Sequence, residues 1–362
     1  MRIDGTFLRY VGRMFTIRLV FFLIFFIVIL QMLDLLNQSD NITAGPADDW
    51  KELLQYVSLR APQIASQFTP FAGLLAIVVT LASLNLTSEI TIMRAAGMSI
   101  NRVLYPIGIV CVAIAFLHFA FHEMVVVKAT EKLDYWEAND YSNNIDLNAE
   151  TRTSINLVGD NQIVRIGSAS RSGARIDLKD LTIMSLDERG LAQSLVEAES
   201  ATWIEGEWEM QQVKTLTETT VTAQTIGRLP WQPQFDQELI FAVSNKPDQT
   251  SLPNLINQIR TLGADGVDIR AETTGLLSRF SKPMSILIMP LLGAIAGFGV
   301  SRQGGQLTRA ITGATLGFGY FVIENLMLAL GKLGTVPAVF GAFFPFAFFL
   351  VIGFTILLSM DN

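Results

Sequence analysis

HFAFHE, residues 118–123, contains the only two histidines of the 362-residue chain. His118 and His122 stand four apart, so on a helix both imidazoles share a face and could offer a metal two ligands. Glu123 follows directly. The order differs from zinc-protease motifs, and a third ligand would have to come from a distant segment. The plainer reading is a polar patch where a helix leaves lipid, so no metal is expected. Both histidines are tied to an apolar run, which leaves no Ser/His/Asp arrangement to draw. No G-x-x-x-x-G-K-[ST] stretch occurs, which excludes a Walker-type nucleotide site. Cys111, the single cysteine, lies inside an apolar run and can form no intrachain disulfide. The sequence therefore points away from an enzyme, and no cofactor is expected.

The other chemically capable residues are ionisable or amide groups within apolar segments: Gln31 and Asp34 in one, Glu324 with Asn325 in another. Such groups are costly in lipid unless they face protein or water. Two readings stay open for them, a hydrogen-bonded pair steadying a bundle and the wall of a wet cavity. A different signal sits at LTSEITIMRAAGMS, residues 86–99. Thr87 or Ser88 can cap a short helix, and Glu89 suits its first turn. Gly97 can supply a left-handed end, and Ser99 can cap the next helix. Ile90, Met93 and Gly97 share one face, with Glu89 and Arg94 roughly opposite. A helix this short is marginal alone. It either rests on lipid headgroups or docks in the groove of a cytoplasmic partner.

The elements that carry these residues are set by composition. Half of the chain is hydrophobic, 16% is charged and the mean hydropathy is +0.40, against roughly a quarter charged in soluble domains. The net charge of −7 argues against nucleic acid as a partner. Six apolar stretches approach the roughly 20 residues that a membrane helix needs: 15–36, 63–84, 103–124, 283–300, 307–330 and 336–360. With the N-terminus inside, the cytoplasmic loops collect Arg2, Arg9, Arg13, Arg94, Arg102, Arg302 and Arg309, against Lys51, Arg60 and Lys332 outside. The positive-inside rule thus predicts cytoplasmic termini and an extracytoplasmic middle, periplasmic in a bacterium. From about residue 150 the apolar period falls to two, broken by Gly-Asp, Ser-Gly and Glu-Arg-Gly turns, which predicts antiparallel strands in a sandwich, jelly roll or open barrel. Residues 251–270 return to a helical pattern. Gly293-x-x-x-Gly297 and Gly313-x-x-x-Gly317 are spaced for close helix packing, expected within this chain.

SEITIMRAAGMS resembles the coupling helix of the lipopolysaccharide export permeases of the LptF/LptG family, whose pattern is Ser-Glu, apolar residues, then Arg/Gln-Ala-Ser/Ala-Gly. LRYVGRMF resembles the family's opening, WIEGEWEMQQV its Trp-rich periplasmic strand, and GFGYFVIENLMLALGKLGTVPAVFGAFFPFAFFLVIG its closing pair of spans, more as in LptG than in LptF. The resemblance covers almost the whole chain. It implies an α+β membrane protein: spans one to three over 1–124 with the coupling helix at 86–98, a periplasmic β-jellyroll-like domain over 125–270, and spans four to six over 271–362. It also implies the partners: LptF, an LptB ATPase dimer below, and LptC and the LptA bridge beyond, with lipopolysaccharide drawn from the inner membrane as the transported lipid. On this likeness Ser88, Glu89, Ile90, Met93, Arg94 and Gly97 form the ATPase-coupling helix. Gln31, Asp34, Glu324 and Asn325 are cavity and gate candidates on the first and fifth spans. Ile155, Leu157, Ile163, Ile166, Leu181, Ile183 and Trp203 would line a periplasmic acyl-chain groove, or simply form a core. One departure is the lack of a basic residue near the outer end of the first span. Lys51, Arg60, Lys128, Lys132, Arg279 and Lys282 are the substitutes for a phosphate contact. The alternatives are the paralogous LptF and a non-transporting FtsX-type mechanotransmitter, which has four spans rather than six.

Overall fold

The computed structural model describes residues 5–42, 49–139, 141, 149–158, 161–173, 175–187, 191–204, 207–217, 220–233, 240–241, 247, 250–264, 268–298 and 306–361. In chain order these form helices α1 (Gly5–Ile42), α2 (Asp49–Leu86), α3 (Glu89–Ala95) and α4 (Ile100–Phe121), a π-helical turn His122–Val126, and α5 (Val127–Glu137). Strands β1 (Glu150–Val158), β2 (Gln162–Ser172), β3 (Arg175–Leu186), β4 (Ala192–Ile204), β5 (Glu207–Thr217) and β6 (Thr220–Trp231) follow. Helices α6 (Leu252–Ala264), α7 (Arg270–Phe298), α8 (Gln306–Lys332) and α9 (Ala338–Asp361) complete the order. Two compact units result: Met1–Leu36, Ala61–Val126 and Ile259–Asn362 in the first, Asn37–Arg60 and Val127–Gln258 in the second.

The first unit is helical. Among the described residues five helices are long and apolar enough to cross a membrane: Gly5–Ser39, Trp50–Leu86, Ile100–Glu137, Gly313–Lys332 and Ala338–Ile356. Six were expected. The sixth, α7, carries Arg270, Glu272, Arg279 and Lys282 in its first half, and its apolar half runs up to residues 299–305, outside the described ones. Proline interrupts α2, α4, α7 and α9, which neighbouring helices tolerate in a bundle. The small-residue expectation is met inside the chain. A Cβ at Gly293 would lie 2.4 Å from Ile77 Cγ2 and 3.0 Å from the Leu74 carbonyl oxygen. One at Gly317 would lie 2.7 Å from Leu74 Cδ2. Close helix approach, not dimerisation, is what these glycines provide here.

The sheet of the second unit is a single antiparallel meander, β1-β2-β3-β4-β5-β6. Each strand pairs with its sequence neighbour, as hairpin connections dictate. The non-consecutive neighbours of a two-Greek-key jelly roll are not found among the described residues. The Ser-Gly turn is Ser172–Gly173, with Gly173 at φ +64. The Gly-Asp and Glu-Arg-Gly turns fall outside the described residues.

One line crosses all six strands. The pairings on either side of it set Ser154, Gly167, Asp180, Glu199, Gln212 and Gly227 opposite one another in turn. Ser154, Asp180 and Gln212 have φ of 55, 52 and 52, a conformation rare for non-glycine residues. Of the other three members of the row, Gly167 and Gly227 are glycines and the third is Glu199. A left-handed residue breaks the period of two. Accordingly, burial in β3 runs Ile176, Leu178, then Leu181, Ile183, and in β5 Trp208, Met210, then Val213. Each steps by three across the line, so the side chains that alternate inward change parity there.

Candidate functional site

The stretch LTSEITIMRAAGMS forms α3, seven residues between two long helices. Ser88 occupies its N-cap position, but at φ 60 and ψ 11 with no side-chain cap bond. That corrects the expected hydroxyl cap: a left-handed Ser88 turns the chain out of α2 and cannot aim its oxygen at the new helix. Thr87 does not cap α3 backbone either; its single hydroxyl proton has the Glu89 carboxylate as nearest acceptor, 2.9 Å away, with the Ser83 and Leu84 carbonyls at 3.2 and 3.3 Å. The far end follows the sequence. Gly97 sits at φ +81, and the Gly97 and Met98 N–H groups bond the Arg94 and Met93 carbonyls at 2.9 and 3.0 Å. This is a Schellman ending, which glycine makes without a Cβ penalty. Ser99 has the extended backbone of an N-cap, and its carbonyl takes the first bonds of α4 without a side-chain contribution.

The faces of α3 differ sharply. Ile90 is 7% exposed and belongs to a buried cluster with Val11, Phe15 and Ile100, against which Met93 also packs. Thr91, Ile92, Arg94 and Ala95 are exposed, Ile92 by 65%. The sequence reading missed Ile92, an apolar side chain on the outward face. Glu89 is half-buried and accepts a 3.2 Å bond from the Tyr10 phenol.

A second cluster lies among the long helices. His118 Nε2 meets the Ser66 hydroxyl and carbonyl, both at 3.0 Å. One turn on, Arg279 Nη1 donates to Glu123 Oε1 at 2.7 Å and to His122 Nδ1 at 3.0 Å. Guanidinium N–H groups only donate, so His122 accepts at Nδ1 and holds its proton on Nε2. The two imidazoles thus face different partners. The Arg279 side chain is 2% exposed. Glu324 is buried and is bonded by Tyr320 at 3.2 Å. Asn325 is exposed and returns its amide to the Phe321 carbonyl at 2.8 Å. The hydrogen-bond partner of Glu324 is thus the tyrosine four residues earlier and not Asn325, since adjacent helical residues point about 100° apart. Gln31 is 6% exposed, and neither polar atom of its amide has a partner among the described residues. Asp34 is half-buried.

In the sheet unit, Ile155, Ile166 and Leu181 form one register row, and Leu157 and Ile183 belong to a second row two residues along. All five are buried, on one face. Ile163 pairs with Val158 and Met184 in the row just beyond the second, so it points to the other face, away from the five. Trp203 lies beyond the kinked line, in a row with Ile176, Trp208 and Trp231. Its ring is 5.4 Å from that of Trp208, itself 5.4 Å from that of Trp231. Seven residues expected along one groove thus divide into five on one buried face, one opposite, and one in an aromatic row past the bend.

Comparison with known proteins agrees with this arrangement. The family model described as "Lipopolysaccharide export system permease LptF/LptG" matches residues 9–359. The lipopolysaccharide export system permease protein LptG of Haemophilus influenzae is 23% identical over 355 residues, covering 95% of each chain. Its namesake in Escherichia coli K12 is 23% identical over 311 residues, 84% of each. With its membrane-length helices, inserted sheet and short helix at 89–95, this chain belongs to the LptF/LptG family and is a permease subunit of the lipopolysaccharide export system.

Proposed function

We propose that the chain acts as the LptG-type half of an inner-membrane ABC transporter, with six spans, both termini in the cytoplasm and the sheet unit in the periplasm. An LptB dimer hydrolyses ATP beneath it and LptF completes the lipid chamber. Lipopolysaccharide leaves the membrane through that chamber toward LptC and LptA. The observation that carries this reading is the build of α3. Its inner face is fixed by Ile90 and Met93, its end is locked by Gly97, and its outer face offers Thr91, Ile92 and Arg94 beside the Glu89 carboxylate. An apolar residue ringed by polar ones has the centre-and-rim make-up of a protein interface. A helix lying on lipid headgroups would instead turn its apolar residues outward together.

The lipid chamber is supported by Gln31. A buried amide without hydrogen bonds costs about 1–3 kcal/mol, a penalty that a polar headgroup or water in an open gate would remove. The buried face of Ile155, Leu157, Ile166, Leu181 and Ile183 is the water-excluded surface we assign to acyl chains. Co-purification tests the whole: the chain should bring down an ATPase, the LptF paralogue and bound lipopolysaccharide. Glu89→Arg should abolish ATPase recruitment, and intact recruitment would remove the coupling role. Alkaline phosphatase fused near residue 190 should be active; an inactive fusion would overturn the topology.

A further inference from the structure

Two sequence stretches that carry the resemblance, LRYVGRMF and SEITIMRAAGMS, lie far apart in the chain yet meet in the fold. Tyr10 and Glu89, 79 positions apart, share a hydrogen bond in which the phenol donates to Oε1 at 3.2 Å. The same oxygen accepts from the Thr87 hydroxyl at 2.9 Å. Beneath this contact, Val11 and Phe15 of α1 and Ile90 of α3 are buried in one cluster, with Phe7 and Met93 against it. The two levels restrain different things. Apolar contact is non-directional; it fixes the depth of α3 but leaves a free glutamate side chain with several rotamers. Hydrogen bonds are directional. Two donors converging on Oε1 hold the carboxylate in one orientation and leave Oε2 for another cation or donor. Tyr10 is itself 49% exposed, so its ring contributes little burial and its hydroxyl is the group that acts.

We infer that Tyr10 is a positioning residue for the coupling helix: its hydroxyl presents the Glu89 carboxylate to the ATPase partner and ties α3 to the cytoplasmic end of α1. This rests on the coupling role proposed for Glu89. Motion imposed on α3 then reaches α1 through a polar tie as well as through the shared core. That gives the helix bearing Gln31 and Asp34 a direct link to the motor.

The test is a double-mutant cycle on the full chain assembled with its paralogue in nanodiscs, titrated with the ATPase subunit. Tyr10→Phe removes one oxygen and keeps the ring. It should weaken ATPase binding about two- to tenfold, the range of one ordinary hydrogen bond, since this one is exposed to solvent. In a Glu89→Ala background the same change should alter binding by less than about 1.5-fold, because the group it positions is gone. Wild-type affinity for Tyr10→Phe, or an equal loss in both backgrounds, would overturn the inference while leaving the coupling role intact. If Glu89→Ala alone binds the ATPase as wild type does, the coupling role falls and this inference with it. Thermal unfolding of each variant separates the outcomes from misfolding: a purely structural tyrosine would lower stability equally with and without Glu89.

Discussion

The two units of this chain use glycine and unusual backbone for opposite ends. In the helical unit glycine brings backbones together: Gly293 faces Ile77 and Leu74, and a Cβ at Gly341 would lie 2.8 Å from the Met327 carbonyl. In the sheet unit glycines and left-handed residues share a row: the left-handed Ser154, Asp180 and Gln212 alternate with Gly167, Glu199 and Gly227. There they reverse which side chains face inward. One device shortens distances between helices; the other redirects strands. The lesson is that a glycine's meaning depends on the period it interrupts. In a helix it removes a side chain from a contact. In a strand, its neighbours across the sheet can take the unusual φ. The probes needed to compare the units are already in the sequence. All five tryptophans, at 50, 136, 203, 208 and 231, lie in the sheet unit, and Cys111, buried at 2%, lies in the helical one. Tryptophan fluorescence therefore reports one unit and dye-trapping of the thiol reports the other.

The largest effect is expected at Arg279. Arg279→Ala leaves the Glu123 carboxylate, whose side chain is 16% exposed, without its guanidinium. Removing one partner of such a pair costs about 3–5 kcal/mol. Thiol exposure at Cys111 should come at markedly lower temperature, while tryptophan fluorescence keeps its own transition. Arg279→Ala with Glu123→Ala should recover much of the loss. An unchanged thiol transition in the single variant would show that the cluster does not stabilise the helical unit. Gly293→Val comes next. Its Cβ cannot coexist with Ile77 Cγ2 at 2.4 Å, and overpacking of this kind costs about 1–3 kcal/mol. Gly108→Ala in α4 is the contrast, since nothing lies within 4 Å of its added Cβ. It should gain about 0.5–1 kcal/mol from helix propensity. Equal outcomes at the two glycines would erase the distinction drawn for this unit.

What the sequence could reveal tracks the range of the interactions involved. The apolar stretches, the Gly97 terminus and the period-two strands are local signals; five of the six stretches lie in membrane-length helices among the described residues, and the strands and the terminus follow as well. Adjacency draws attention to Asn325 beside Glu324, whereas helical geometry brings Tyr320 alongside it. Ile163 was grouped with Ile166 on composition; parity along β2 separates them. Tyr10 could not be found, because a contact across 79 positions has no local signature. The kinked line was equally hidden. Ser154, Asp180 and Gln212 share no residue type, and only strand register reveals that they stand in one row.

That row yields the smallest and most discriminating expectation. Gln212 at φ 52 bears the strain of a left-handed non-glycine residue, about 1–2 kcal/mol. Gln212→Gly removes that strain and adds chain entropy to the unfolded state, a cost of about 0.5–1 kcal/mol. The net should be a stabilisation of roughly 0.5 kcal/mol. Two residues along the same strand, Lys214 pairs regularly with Glu197 and Thr225. Lys214→Gly meets only the entropic term and should destabilise by about 0.5–1 kcal/mol. The same change, six or seven ångströms apart by strand rise, thus carries opposite signs. Urea unfolding of the full chain followed by tryptophan fluorescence resolves the pair. A loss at both positions would mean that Gln212 is not held left-handed, and that the sheet turns its inner face by some other means.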